Sequence, residues 1–260
     1  MDIRILMDNH ALPGFRSQWG LAMALTLDHG PLWLWDAGAG PELIDNARRM
    51  GVDPGEAAGL ALSHGHYDHG GGIAALIQAG FQGPIFAHPE VNRARYHVCA
   101  GKKTRPIGLP DALEGIHEVR RTRLLDQGLS MVTDIPRRPG LPEMTAHFYL
   151  DPEGRTPDHV PDDACLLADS ECGPVLVLGC CHSGLENTLL HACDVLDGRS
   201  IHAVVGGMHL YDADAGVLDA AAAALRDAGV QRVHPGHCTG DDAARALSER
   251  LDIPVEPLAS

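Results

Sequence analysis

Three histidines and an aspartate lie within the short segment His64-Gly65-His66-Tyr67-Asp68-His69. Imidazole and carboxylate groups bind Zn, Fe and Mn ions, and the residue types alone do not distinguish these metals. The alternate spacing lets His64 and His66 converge on one point at a strand end, while Asp68 and His69 face a second point as the chain turns. In a chain of this composition the pattern arises by chance in roughly half a per cent of sequences. The segment therefore predicts a site for two divalent metal ions, with zinc as the first choice.

Six residues cannot complete two metal coordination spheres, so further ligands must come from elsewhere. Three later segments contain histidine or cysteine after an apolar run: 179–184, 206–210 and 234–240. In the first of them, Ser183 and Glu186 have the spacing of a capping box, which predicts a helix that begins there. Cys180 and His182 would then lie in the loop before that helix. A single histidine at a strand end is more often structural than a ligand, but three such segments in one chain favour ligands.

The elements that would position these residues alternate between short apolar runs and helical stretches. Strands are predicted at 3–7, 21–27, 32–35, 59–63, 84–87, 164–168, 175–178, 201–205 and 231–234. Helices are predicted at 41–50, 73–79, 184–197, 214–228 and 241–251, and a turn at 28–31. Strands followed by helices in both halves predict a layered sheet core with helices outside, in a single domain spanning 1–260.

Residues 89–157 differ in composition from the rest of the chain. They hold 11 of the 20 Lys and Arg residues, against 9 Asp and Glu, and proline and glycine interrupt them repeatedly. Long irregular insertions in compact domains are usually lids, binding loops or disordered segments. A basic lid over a metal site would suit a small anionic substrate, and a solvated loop with an accidental charge balance is an equally good interpretation.

The overall composition narrows the function classes. A formal net charge of −15 disfavours nucleic acid and anionic membranes as general partners. The N-terminal residues lack the apolar core of a signal peptide, and no apolar stretch approaches a membrane span. The seven cysteines are odd in number and several lie in or beside apolar runs, which favours a reducing compartment, the cytoplasm. A homodimer and a monomer both remain open.

Two motifs resemble those of a known superfamily. Ser63–His69 is similar to the signature of the metallo-β-lactamase-fold superfamily, and Trp35-Asp36-Ala37-Gly38 resembles the strand end whose aspartate supports the ligand loop. The order of motifs also resembles one branch, the 7,8-dihydropterin-6-yl-methyl-4-(β-D-ribofuranosyl)aminobenzene 5′-phosphate synthases and related metal-dependent hydrolases. The stretches that carry the branch resemblance are 7–9, 63–72, 87–89, 134–137, 162–164, 179–184, 206–210 and 235–240.

The resemblance implies an α/β protein, a four-layer αββα metallo-β-lactamase sandwich with the metals at one edge of the two sheets. It implies that His64 and His66 bind one ion. It also implies that Asp68, His69 and the late His237 bind the other.

Two positions depart from the superfamily pattern. The bridging carboxylate normally follows the strand matched by 175–179, where this chain has Cys180 and His182, so the bridging ligand stays open between them. The middle histidine should precede strand 164–168, where the chain has Asp162, with His159 slightly upstream. We expect Asp162 to substitute for that histidine as a metal ligand.

Three functions are compatible with these residues. The first is a binuclear metal-dependent hydrolase of a phosphorylated or lactone-like substrate, in which the ions lower the pKa of a water molecule that Asp68 orients. His209 is then expected to contact the substrate or donate a proton, unless it is a structural loop residue, and Arg137 could meet the substrate's charge. The second is a transferase. It would join a dihydropterin methyl diphosphate to an aminobenzene ribofuranosyl phosphate, and diphosphate would be the leaving group. The third is a metal or redox sensor that uses the thiols Cys180, Cys181 and Cys238.

Overall fold

Two six-stranded sheets are built from the apolar runs of the sequence. The computed structural model describes residues 1–28 and 30–260. Its strands are β1 (Asp2–Met7), β2 (Ala22–Thr26), β3 (Leu32–Trp35), β4 (Ala57–Ala61), β5 (Ile85–Ala87), β6 (Tyr96–His97), β7 (Arg105–Pro106), β8 (His117–Glu118), β9 (Arg123–Asp126), β10 (Leu129–Val132), β11 (Phe148–Tyr149), β12 (Cys165–Ala168), β13 (Val175–Leu178), β14 (Ala203–Gly206) and β15 (Arg232–Pro235). Its α-helices are α1 (Glu42–Met50), α2 (Tyr67–Gly70), α3 (Ile73–Gln78), α4 (Leu185–Val195), α5 (Ala215–Asp227) and α6 (Asp241–Arg250).

The order of the strands brings the ends of several of them to one edge of each sheet. The first sheet has the order β1-β2-β3-β4-β5-β8, and the second has the order β15-β14-β13-β12-β10-β9. Strands β3, β4, β5 and β8 run parallel in the first sheet. Strands β13, β14 and β15 run parallel in the second. Because α/β sheets bind ligands at the carboxyl ends of parallel strands, the residues after these strands are placed for a site.

Three apolar cores define the layers. The facing sides of the two sheets meet in a central core that includes Trp35 from the first sheet and Val177 from the second. The other face of the first sheet packs against α1 and α3. The other face of the second sheet packs against α4, α5 and α6. This order of helix, sheet, sheet and helix confirms the αββα sandwich.

The segment 89–157 is divided among three sheets. Strand β8 belongs to the first large sheet, whereas β9 and β10 belong to the second. The remaining strands form a small sheet in the order β11-β6-β7. Just beyond this sheet, the N–H of Tyr67 donates to the carbonyl of Ile107 over 3.0 Å, which ties the small sheet to the histidine segment.

The strands and helices predicted from sequence are present, with ends displaced by two residues at most. The predicted turn at 28–31 includes His29, which lies outside the described residues. The capping box was wrong: Gly184, at φ 91°, precedes α4, and the hydroxyl of Ser183 finds no hydrogen-bond partner in the described chain. The N–H of Ser183 donates instead to the buried carboxylate of Asp163 over 2.7 Å, so Ser183 is held outside the helix and Gly184 occupies the cap position. None of the helices described combines the length and hydrophobicity that a membrane crossing requires.

Candidate metal centre

The histidine segment follows β4 and is buried at the carboxyl edge of the first sheet. His66 lies in extended backbone directly before α2, His64 lies two residues earlier, and Asp68 and His69 lie on α2 itself. Gly65 is required between the first two histidines, because a Cβ there would lie 1.9 Å from the carbonyl oxygen of Val91. The local fold therefore sends four side chains from one short segment into one place.

The first ligand group, which we call the imidazole group, consists of His64, His66 and His182. The Nε2 atom of His64 lies 2.9 Å from Nδ1 of His66 and 3.2 Å from Nε2 of His182. All three side chains are buried. His182 reaches this group from the loop after β13, in the other sheet.

The second ligand group, which we call the mixed group, consists of Asp68, His69 and His237, with Cys180 and Cys238 beside it. The Nε2 atom of His69 lies 3.2 Å from Nε2 of His237, which in turn lies 3.5 Å from the Asp68 carboxylate. The sulfur of Cys180 lies 3.1 Å from Nε2 of His69. The ligand atoms of Cys180, His237 and Cys238 all lie within 4.8 Å of one another.

The hydrogen bonds behind the imidazoles aim their Nε2 atoms at the centre. Nδ1 of His182 donates to the carbonyl of Met144 over 2.8 Å, and Nδ1 of His69 donates to Asp36 over 2.7 Å. The hydroxyl of Ser63 donates to Asp36, so it accepts from Nδ1 of His64. Fixing the outer ring nitrogen as the donor is the usual way to orient a metal-binding histidine.

Asp8 and Asn9 orient His237 in the same way. The N–H of His237 donates to Asp8 over 2.8 Å, and its Nδ1 atom contacts the amide oxygen of Asn9 at 3.1 Å. The orientation of the Asn9 amide is fixed because its nitrogen donates to the carbonyl of His237. Asp36 and His237 both have positive φ, at 58° and 49°, which marks strain of the kind found at functional sites.

The protonation states differ between the groups. Burial lowers the pKa of His64 and His66 well below the usual value and that of His182 to about 3, so these rings are neutral at pH 7. Burial also lowers the pKa of His69, but the nearby carboxylate of Asp36 outweighs this and raises it to about 9. Burial raises the pKa of Asp68, but the hydrogen bond with His237 and the charges of the nearby histidines together outweigh burial and lower the pKa well below its usual value, so Asp68 stays ionised.

These residues fit divalent metal ions. In the imidazole group, the Nε2 lone pairs of the neutral His64 and His182 rings face each other at 3.2 Å, an arrangement that a cation between them stabilises. In the mixed group the surroundings favour positive charge strongly enough to raise the pKa of a buried histidine. Nitrogen, carboxylate and thiol donors together are the ligands of zinc sites.

The structure places Asp162 outside both groups, contrary to its prediction as a ligand. Its carboxylate pairs with Arg95 and accepts the N–H of Gly65 over 2.8 Å. Arg95 is 1% exposed and also pairs with Asp158 at 2.9 Å. Both Asp162 oxygens are therefore used to hold the histidine segment from behind, and His182 takes the third place in the imidazole group.

A cavity of about 480 Å³ opens onto both groups. His209, Trp19 and Tyr211 border it, and the His209 ring centroid lies 4.8 Å from that of His182. The small sheet supplies Arg105, with other residues of its vicinity, to the wall. Arg137, expected to meet substrate charge, is instead bound to the carbonyls of His159 and Val160 and does not border the cavity.

Sequence reasoning placed His64, His66, Asp68, His69, Cys180, His182 and His237 at the centre, and the structure brings these residues together. It named Cys238 only as a thiol of the sensor alternative and not as a ligand of the two ions, and it missed Arg95 and Arg105 altogether. Cys238 follows a predicted ligand directly, and this adjacency was the signal available. Arg95 could not be found, because its partners lie more than 60 residues away.

Comparisons with known proteins agree with this architecture. The chain is 26% identical over 94% of its length to 7,8-dihydropterin-6-methyl-4-(beta-D-ribofuranosyl)-aminobenzene-5'-phosphate synthase of Methanocaldococcus jannaschii, of which it covers 88%. It is also 26% identical to an uncharacterized protein of that organism, with 95% and 94% of the two chains covered. No protein-family model matches the chain.

Solved structures show the same fold. Tm1679, a metal-dependent hydrolase of the beta-lactamase superfamily, superposes with a TM-score of 0.84 and 26% identity, covering 99% of this chain and 95% of Tm1679. The metallo-beta-lactamase fold protein YhfI from Bacillus subtilis superposes with a TM-score of 0.60 at 12% identity over 99% and 96% of the two chains, a likeness of fold alone. The chain is therefore an enzyme of the metallo-β-lactamase fold, similar over most of its length to a metal-dependent hydrolase and to a synthase.

Proposed function

We propose that the protein is a binuclear metal-dependent hydrolase that acts on a small anionic substrate, with zinc as the metal. The observation that carries this proposal is the convergence of five imidazoles and one carboxylate in two adjoining groups at the floor of one cavity. The ligands would be His64, His66 and His182 for one ion, and Asp68, His69 and His237 for the other. Divalent ions supply a lowered pKa for a water molecule and polarise the bond to be broken.

Asp68 is suited to a second role besides ligation. Its side chain is 10% exposed and borders the cavity, whereas the neighbouring His69 is fully buried. As an ionised carboxylate it can accept a hydrogen bond from the attacking water and hold it towards the substrate. We therefore infer that Asp68 orients the nucleophile.

His209 is proposed as a substrate contact. Burial lowers its pKa to about 3, so at pH 7 the ring is a neutral hydrogen-bond donor and carries no charge. A neutral ring beside the cavity can bind an oxygen of the substrate, but it is a poor source of a proton at that pH. The contact interpretation is therefore preferred to the proton-donor interpretation.

Arg105 supports an anionic substrate. It is exposed and borders the cavity, and among the residues described no carboxylate forms an ion pair with it. Burial lowers the pKa of His97, which borders the same cavity, and the nearby charges of Arg105 and Lys102 lower it further. Positive charge at the cavity mouth of a chain with a net charge of −15 favours a phosphorylated or otherwise anionic substrate.

The second candidate is a transferase that uses a dihydropterin diphosphate, with diphosphate as the leaving group. It is favoured by the 26% identity to a synthase over nearly the whole chain. The same cations would then bind diphosphate. We also propose a cytoplasmic location, because the free buried thiols Cys165, Cys180, Cys181 and Cys238 are best preserved in a reducing compartment.

Metal analysis and activity assays test the proposal together. We expect about two equivalents of metal in the wild type, about one in His66→Ala, and about two in His97→Ala, a cavity residue that belongs to neither group. Hydrolysis of generic phosphodiesters and lactones should depend on added metal and stop with chelator. Full metal retention by His66→Ala would contradict the site. Condensation of a dihydropterin diphosphate without hydrolysis would favour the transferase.

A further inference from the structure

We propose that the mixed group is a thiolate metal site, in which Cys180 and Cys238 bind the ion together with His237. Such a site takes Zn²⁺, Co²⁺ or Cd²⁺ in preference to Mn²⁺ or Mg²⁺. The inference rests on the proposed function only in requiring that a metal binds in the mixed group. It assigns a metal-binding role to Cys238 and a chemical difference to the two ions.

The two sulfur atoms lie beside the nitrogen ligands of the mixed group. Cys180 Sγ is 3.1 Å from Nε2 of His69, and the ligand atoms of Cys180, His237 and Cys238 lie within 4.8 Å of one another. His69 and His237 are themselves 3.2 Å apart. Both thiols border the cavity, so an ion that enters it reaches them directly.

The ends of three adjacent parallel strands bring the two cysteines together. Cys180 follows β13, Cys238 follows β15, and β14 runs between them. At the end of β14, a Cβ on Gly207 would lie 2.7 Å from the sulfur of Cys238 and 2.4 Å from the carbonyl of Gly179. The absence of a side chain at Gly207 is what leaves room for the two sulfur atoms on the same side of the sheet edge.

Other buried cysteines of the chain show what a structural thiol looks like here. Cys181 follows Cys180 directly, but its sulfur donates to the hydroxyl of Thr188 over 3.3 Å and it packs in the core against α4. Cys165 lies in the same apolar core. The sulfur of Cys238 donates to the carbonyl of Cys180 over 3.6 Å, a long contact, and lies within 4.8 Å of the ligand atoms of Cys180 and His237.

The chemistry of thiolates accounts for the proposed metal preference. Sulfur ligands bind borderline and soft ions such as Zn²⁺ and Cd²⁺, whereas Mn²⁺ and Mg²⁺ favour oxygen. Each cysteine binds after its S–H bond breaks, so the metal–sulfur bond forms as one proton per thiol is released to solvent. The sulfur of Cys180 also lies within 4.8 Å of the ligand atoms of His64 and His69, so the preference is assigned to the mixed group because Cys238 joins Cys180 there.

Cobalt substitution tests the inference by spectroscopy. We expect metal-free protein to bind about two equivalents of Co²⁺ and to develop near-ultraviolet thiolate-to-cobalt charge-transfer absorption. Cys238→Ser and Cys180→Ser should each lose part of that absorption, and the double variant all of it. Cys181→Ser is the matched control and should keep it. Two equivalents of bound Co²⁺ without this absorption would overturn the thiolate site alone, whereas no Co²⁺ binding would overturn the proposed function.

Alkylation of the wild type avoids any folding defect of the variants. In the zinc-loaded protein, iodoacetamide should spare Cys180 and Cys238, and removal of zinc by chelator should expose both to modification, as read by mass spectrometry. The exposed Cys172 should react in both states, and the buried Cys181 in neither. Equal modification of Cys180 and Cys238 with and without bound zinc would overturn the proposal.

Discussion

The imidazole group and the mixed group share one cavity but are assembled differently. The imidazole group takes two of its three ligands from one short loop, held from behind by the buried pair of Arg95 and Asp162. The mixed group takes its ligands from α2 and from the ends of two strands of the other sheet. Both groups therefore depend on the alignment of the two sheets, through His182 in the first and His237 in the second. The imidazole group differs in that two of its ligands lie on the segment that Arg95 and Asp162 hold from behind.

This difference predicts which substitutions will separate the two ions. Substitutions of Arg95 or Asp162, which hold the histidine segment from behind, should lower metal binding in the imidazole group first. Changes at Asp36 or Asn9 should affect the mixed group first, because these residues hold His69 and His237.

The largest effect is expected for Arg95→Met, which leaves the carboxylates of Asp158 and Asp162 buried without their cation. Breaking a buried ion pair on one side lowers the free energy of unfolding by about 3–5 kcal/mol, measurable by urea denaturation. The imidazole group should lose metal before the mixed group does. Arg93→Met removes an exposed pair with Glu90 and should change stability by less than about 0.5 kcal/mol. Equal losses of unfolding free energy in the two variants would show that Arg95 does not stabilise the histidine segment.

Asp36→Asn comes next. It weakens the partner of His69 and of Ser63, so metal affinity should fall about 10- to 100-fold, the usual effect of losing a residue that orients a ligand. Competition with a chromophoric chelator measures this affinity. We expect the mixed group to weaken more, since Asp36 contacts His69 directly and reaches His64 only through Ser63. A larger loss of metal affinity in the imidazole group would contradict the expectation that Asp36 acts mainly on the mixed group.

Asn9→Ala should act on the mixed group alone. Without the amide, Nδ1 of His237 loses its partner, and affinity for the second ion should fall roughly tenfold, at the low end of that range because the contact is only partly buried. Asn92→Ala provides a control, since Asn92 bonds only to the distant Leu113 backbone. Any change in the imidazole group would argue against the separation of the two groups.

The smallest effect is expected for Arg105→Ala, which leaves both groups intact. An exposed charge contributes about 0.2–1 kcal/mol, so kcat/KM for an anionic substrate should fall roughly two- to fivefold. The loss should disappear at high salt because exposed charges are screened, and a neutral substrate should show none. An equal loss for neutral and anionic substrates would remove Arg105 from substrate recognition.

The sequence predicts those parts of the site whose residues are close together along the chain. The HxHxDH segment and the strands around it were predictable, because alternate spacing and apolar runs are local signals. Asp162 was misassigned because its role depends on Arg95, which is 67 residues away and outside any motif. His182 was predicted as a ligand, but its place with His64 depends on how one sheet packs on the other.

The same reasoning applies to the basic segment 89–157. The sequence shows that this segment is basic. It does not show that the segment is divided among three sheets, or that within it only residues near β6, β7 and β11 border the cavity. Likewise, Arg137 and Arg105 look alike in sequence, and only the pairing of Arg137 with nearby carbonyls separates them.

The small sheet of β11, β6 and β7 contributes Phe148, His97 and Arg105 to the wall of the cavity, and it supplies no member of either ligand group. In the proposed enzyme, the residues that bind the metals and those that shape the cavity wall therefore lie on separate pieces of backbone. Replacing the small sheet with one of different size or charge would then change the class of compound that fits the cavity without changing the proposed ligands.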